Sequence, residues 1–182
     1  MLARADGRAG AGAAAMMPDG SPRDRAAPGT AAPAHQSGSE IGAQRACQLA
    51  ATVLDLADAD GGGGVAAAVA DPHGHLVAFL RGGGAPLRAS RIAIMKAYTA
   101  ARFTESTDAL ARRLEASGRS LCEYGDRRFT ALAGGVPVEA PSGRILGALG
   151  VSGRSPSDDD GLARCALDAL GLGTSSRRQV QR

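Results

Sequence analysis

Two short apolar runs, 65–70 and 76–80, are separated only by Asp71-Pro72-His73-Gly74-His75. Proline presets φ inside a turn and glycine supplies a positive φ, so this spacer predicts a tight reversal. Strands joined so closely can pair only antiparallel. The pattern recurs at 136–139 and 145–151, which flank Pro141-Ser142-Gly143. Two hairpins without long strand–helix–strand alternation predict an α+β domain, with helices covering an antiparallel sheet. A further short strand is expected at 129–132.

Apolar spacing marks the helices. Ala43, Ala46, Ala50, Val53, Leu54 and Ala57 share one helical stripe, behind the capping-box spacing of Ser37 and Glu40. Glycines 61–64 end that helix. A second helix is expected over 88–103, where Ala89, Ala93, Ala97 and Ala100 form a narrow small-residue face suited to lying close against a sheet. Thr107-Asp108 is expected to cap a short helix carrying Leu110 and Leu114. Residues 117–128 have no period and read as loop. A last helix follows Ser157, with Asp158, Asp159 and Asp160 at its positive end, and stops at Gly171. The chain is 44% hydrophobic but only 3% aromatic, with no Trp. Its core must therefore be built from Ala, Val, Leu and Ile.

Residues 1–38 hold four prolines and no apolar period, which predicts a disordered tail ahead of a domain at 39–172. Residues 173–182 read as a flexible C-terminal tail. The net charge is +3, yet residues 41–170 carry fourteen basic and fourteen acidic side chains. A nucleic-acid binder needs a basic folded surface, so no such partner is expected. No run approaches the roughly 18 apolar residues of a membrane span. Three unpaired cysteines, Cys47, Cys122 and Cys165, suit a reducing, cytoplasmic setting.

Few constellations carry chemistry. There is no phosphate-binding glycine motif and no hydrolase nucleophile frame. His73 and His75 are two apart beside a turn and would share a side of a strand, but without a third ligand a solvated turn is the simpler reading. Two segments stand out. Arg81 ends a strand where the chain opens into glycines 82–84, and the following helix bears Lys96, the single lysine among twenty arginines. A lone retained lysine suggests a need for a compact ammonium. Gly134-Gly135 ahead of Pro137 would let another group come close to the backbone. Arg81 and Lys96 are expected to meet an anionic group together, beside that glycine pair.

At these segments the chain resembles a known family. Asp71-x-x-Gly74-x-Leu76-Val77-Ala78, Arg81, Ala93-x-x-Lys96-Ala97-x-Thr99-Ala100-x-x-Phe103, Gly134-Gly135-x-Pro137-Val138, Gly147-Ala148-x-Gly150-Val151-Ser152-Gly153 and Asp159-Asp160 are similar, in order, to the GlcG/HbpS family, which includes the C-terminal domain of some corrinoid adenosyltransferases. The resemblance spans roughly 41–170. It implies profilin-like α/β/α layers, with a five-stranded antiparallel sheet flanked by helices, a homo-oligomer, and haem or another tetrapyrrole as ligand. Arg81, Lys96, Thr99, Gly134, Gly135 and Pro137 then become the cofactor-binding candidates. Thr99, Thr107, His75 and Tyr124 are the open alternatives for an iron ligand. A second reading keeps the fold but makes the protein a small-molecule enzyme, with Lys96 or Glu105 in acid–base work and the glycine amides holding an oxyanion. Ser106-Thr107 stands where many relatives have Pro-Thr, and the loop after Gly118 is longer than theirs.

Overall fold

The computed structural model describes residues 40–173. In chain order these form α1 (Ala43–Asp60), β1 (Ala66–Ala70), β2 (Leu76–Arg81), α2 (Leu87–Phe103), α3 (Thr107–Ser117), one turn of 3-10 helix (Leu121–Tyr124), β3 (Gly135–Glu139), β4 (Ile145–Ser152) and α4 (Pro156–Ala169). The expected tails, 1–38 and the residues after 173, lie outside the described residues. Gly173, grouped with the tail in the sequence reading, instead forms a bridge to Glu139.

The strands make one antiparallel sheet in the order β2-β1-β4-β3, four-stranded where five were expected. The missing strand is 129–132, and its backbone donors explain why. The Thr130 N–H is taken by Thr99 Oγ1 at 3.0 Å and the Leu132 N–H by Thr130 Oγ1 at 3.3 Å. Side-chain hydroxyls have replaced the ladder partners that a strand needs. The first hairpin is held by one carboxylate. Asp71 Oδ1 accepts from the His73 and His75 amides at 2.8 and 2.9 Å, and Gly74 turns with φ +89°.

Helix starts differ in detail from the sequence expectation. Gly42 is the N-cap of α1 and makes no side-chain cap, and Ser37 of the expected capping box lies outside the described residues. The lead-in is instead tied to β4 by Ile41 N–H donating to Leu146 O at 2.7 Å. Ser106, not Thr107, caps α3, and Ser155, not Ser157, caps α4.

The two faces of the sheet carry different residues. On one, Ala67, Val69, Val136, Val138, Leu149 and Val151 pack against Leu49, Ala50 and Val53 of α1 and Leu162, Ala166 and Leu167 of α4. On the other, Ala66, Ala68, Ala70 and Ala148 meet Ala89, Ala93, Ala97, Ala100 and Ala101 of α2. Methyl against methyl lets a helix come nearer than leucine would. Two glycines complete the approach. A Cβ on Gly150 would fall 2.2 Å from the Ala93 carbonyl oxygen and 2.5 Å from the Ala97 nitrogen. One on Gly135 would fall 2.5 Å from the Lys96 carbonyl oxygen. The α2 backbone therefore rests directly on β3 and β4.

This seam makes a signed prediction. Alanine normally improves on glycine inside a strand, yet Gly150→Ala should destabilise the domain by about 2–3 kcal/mol, the usual scale of overpacking. Chemical denaturation measures it. Equal or greater stability of the variant would mean that α2 does not sit this close.

Candidate functional site

The α2 seam carries Lys96 into the interior. Lys96 is only 1% exposed and heads the largest fully buried side chains. Its stem lies over Gly150, whose missing Cβ would otherwise be 3.1 Å from the Lys96 Cβ. Nζ donates to the Val151 carbonyl at 2.8 Å and to Asp159 Oδ2 at 2.8 Å. The other oxygen of Asp159 accepts from the Arg154 amide at 3.0 Å. Burial pulls the Lys96 ammonium below the ordinary lysine pKa, against the opposing pull of Asp159. An ammonium has three N–H groups, and two are used. The third has no acceptor among the described residues.

Above this pair lies a cleft of about 150 Å³. Its walls come from the start of α2 (Pro86, Arg88, Ala89, Ile92), from Leu132, and from the turn between β4 and α4. Ser152 borders it from β4. Alternation along the strand puts Ser152 with Gly150 and Ala148 on the α2 face. It is 5% exposed, and its hydroxyl has no protein partner among the described residues. Arg154 braces the turn. Its guanidinium donates to both Asp60 oxygens at 2.7 Å and to the Ala57 and Gly63 carbonyls, closing the end of α1. The guanidinium hydrogen bonds lower the Asp60 pKa to about 2.

The sequence candidates divide. Lys96, Thr107, Gly134 and Gly135 come together. A Cβ on Gly134 would meet Lys96 Nζ at 2.9 Å, and one on Gly135 would meet the Thr107 methyl at 2.7 Å. The Gly135 N–H donates to Thr107 Oγ1 at 2.9 Å. The groups that approach this glycine pair are thus the protein's own. Thr99 is buried, donates to Met95 O at 2.8 Å and accepts from Thr130. Pro137 is buried in β3 opposite Ala148. Arg81 is not brought to Lys96. It ends β2, exposed, with its guanidinium on the Ala85 carbonyl, where it braces the glycine loop and does not line the cleft. Glu105 is paired with Arg113 and lies outside the cleft lining.

Tyr124 belongs to a cluster that residue spacing did not reveal. Tyr98, Phe103, Tyr124 and Phe129, four of the five aromatic residues, meet with ring centroids 4.9–6.3 Å apart. Arg128 lies 4.1 Å above Tyr98, and the Tyr98 hydroxyl donates to Asp126 at 2.7 Å. The cluster pins the long loop after Gly118 onto the end of α2. His75 stands apart at the hairpin, with its side chain 80% exposed and Nδ1 3.0 Å from Asp71 Oδ2. Among the described residues no group of three or more metal-ligating side chains forms.

Asp159 is the residue that sequence reasoning missed. In an acidic run ahead of a helix it reads as a complement to the helix dipole. The signal was its spacing: with Leu162, Ala163, Ala166 and Leu167 it falls on the buried stripe of α4.

A family model described as haem-degrading, HbpS-like, matches residues 41–168. Among solved structures, HbpS is 30% identical, with 74% of this chain and 93% of that chain covered at a TM-score of 0.66. A complex of PduOC with haem is 27% identical over 70% of this chain and 92% of that one, with a TM-score of 0.63. The ORFY protein of Klebsiella pneumoniae is 29% identical over 75% and 94%, with a TM-score of 0.66. No curated protein matches the chain.

The buried pair sets a stability expectation. Lys96→Met strands Asp159 as an uncompensated buried charge and should cost about 3–5 kcal/mol. Adding Asp159→Asn should recover part of that loss, because the stranded charge is gone. Urea unfolding of both variants measures this. A single-variant loss below about 1 kcal/mol, the scale of a surface pair, would contradict the burial described.

Proposed function

This chain belongs to the HbpS-like family, and from that membership we propose that it binds haem or a closely related tetrapyrrole. The cleft above Lys96 does not fit the whole ligand. A cavity near 150 Å³ admits a molecule about the size of benzene, and a porphyrin is several times larger. The macrocycle therefore needs an open face and an accessible iron ligand.

Of the four ligand candidates, His75 meets that need, and this observation carries the reading. Thr99 and Thr107 are buried with their hydroxyls engaged, and the Tyr124 ring is packed against Phe103. The His75 imidazole is exposed, and the Asp71 carboxylate at Nδ1 leaves Nε2 without a partner among the described residues. A carboxylate-held imidazole is fixed in orientation, which suits it to an iron ligand. Exposed Leu76 follows it, and the Arg102 side chain runs past Gly74 in the same turn, supplying apolar surface and a cation for a propionate. When bound, haem supplies a redox-active iron. The acid–base alternative has less support, since Lys96 is tied to Asp159 and Glu105 to Arg113.

Haemin titration followed at the Soret band tests the reading. The native chain should saturate at one equivalent, and His75→Ala should weaken binding at least tenfold with an unchanged melting temperature. An unaltered titration in that variant would remove His75 from the role. A native chain that fails to shift the band would remove the ligand.

The chain is further proposed to act as a homo-oligomer in the cytoplasm. Leu76 and Leu80 are 48% and 37% exposed on the edge strand β2, and Leu87 is 87% exposed at the start of α2. Apolar side chains left open at an edge favour a covering partner. The three cysteines are free and exposed, as a reducing compartment allows. No described helix is long and apolar enough to cross a membrane. Light scattering should return at least a dimer mass, and Leu76→Lys with Leu80→Lys should reduce it. A monomer at tens of micromolar would refute the assembly.

A further inference from the structure

We propose that the cleft above Lys96 is a second ligand site, separate from His75, that takes a small monocarboxylate with a short apolar chain. Two donors bordering it are left without protein acceptors among the described residues. One is the hydroxyl of Ser152, a residue 95% buried by its 5% exposure. The other is the third N–H of the Lys96 ammonium, whose first two N–H groups are held by Val151 and Asp159. Among the described residues no fully buried side-chain polar atom lacks a partner, so the Ser152 hydroxyl opens to solvent at the cleft, where a ligand oxygen can replace water. A carboxylate presents two oxygens and so matches two such donors.

Charge and shape narrow the class. Within the lining Asp159 offsets Lys96 and Asp60 holds the Arg154 guanidinium, so the excess is the one cation of Arg88. Arg88 is exposed and has no ion-pair partner among the described residues. The remaining wall is apolar, chiefly Ile92, Leu132 and Pro86, and is suited to a hydrocarbon chain rather than an inorganic anion. A volume of about 150 Å³ holds a group roughly the size of benzene, so a whole nucleotide or macrocycle would extend outside the cleft.

The test titrates acetate, butyrate, butyramide and sulfate into the isotopically labelled full chain and follows backbone amide shifts. Butyrate should shift Ser152, Gly153 and Arg154 saturably and bind several-fold more tightly than acetate. Butyramide should bind at least tenfold more weakly than butyrate. Ser152→Ala, which removes only a hydroxyl, should weaken butyrate about tenfold, and the surface change Arg88→Gln should weaken it less. Absence of saturation for butyrate, sulfate binding as tightly as butyrate, or an unchanged affinity in Ser152→Ala would each overturn the site. Haemin distinguishes the sources of the carboxylate. Ser152→Ala should titrate with haemin as the native chain does, and His75→Ala should keep its butyrate affinity. Loss of haemin binding in Ser152→Ala would assign the cleft to a propionate arm of the tetrapyrrole and end the proposal of a separate site.

Discussion

One ammonium joins the two layers of the domain. Lys96 leaves α2 on the alanine face of the sheet, passes the end of β4, and meets Asp159 of α4, whose helix packs on the opposite face. Taking two charges out of water returns little net free energy, so a pair like this is a weak source of stability. It is a strong source of position. The Val151 carbonyl, the Asp159 carboxylate and the Arg154 amide constrain one another within hydrogen-bond distance, and the turn between β4 and α4 is built on them. The cleft exists because that turn is held there.

The pair depends in turn on the unequal faces of the core. Leucine and valine fill the side covered by α1 and α4, while alanine alone forms the buried cluster under α2. A long aliphatic stem can be buried beside such a seam only where the opposing strands lack side chains. Gly134, Gly135 and Gly150 provide that room. The glycines that seemed to invite a ligand thus make space for a lysine.

Much of this was legible in the residues. Both hairpins, the alanine seam and the four helices follow from local spacing, because each is decided within a few residues of itself. The order of the GlcG/HbpS-like blocks likewise identified the family. The errors arose where distant groups decide the outcome. Nothing near 129–132 reveals that Thr99 will claim the Thr130 amide, and so the expected fifth strand is absent. Arg81 and Lys96 look like a pair along the chain, yet one braces a loop at the surface and the other is buried. Asp159 was readable from its place on the α4 stripe, but its acidic neighbours concealed it.

The aromatic cluster has a consequence for observing this molecule. Without tryptophan, its intrinsic emission comes from Tyr98 and Tyr124 alone, and both lie in the patch that pins the loop after Gly118. The leucine and valine cluster under α1 and α4 contains no aromatic ring. Tyrosine emission therefore follows chiefly the docking of one loop, and it reports little on the leucine and valine side of the sheet.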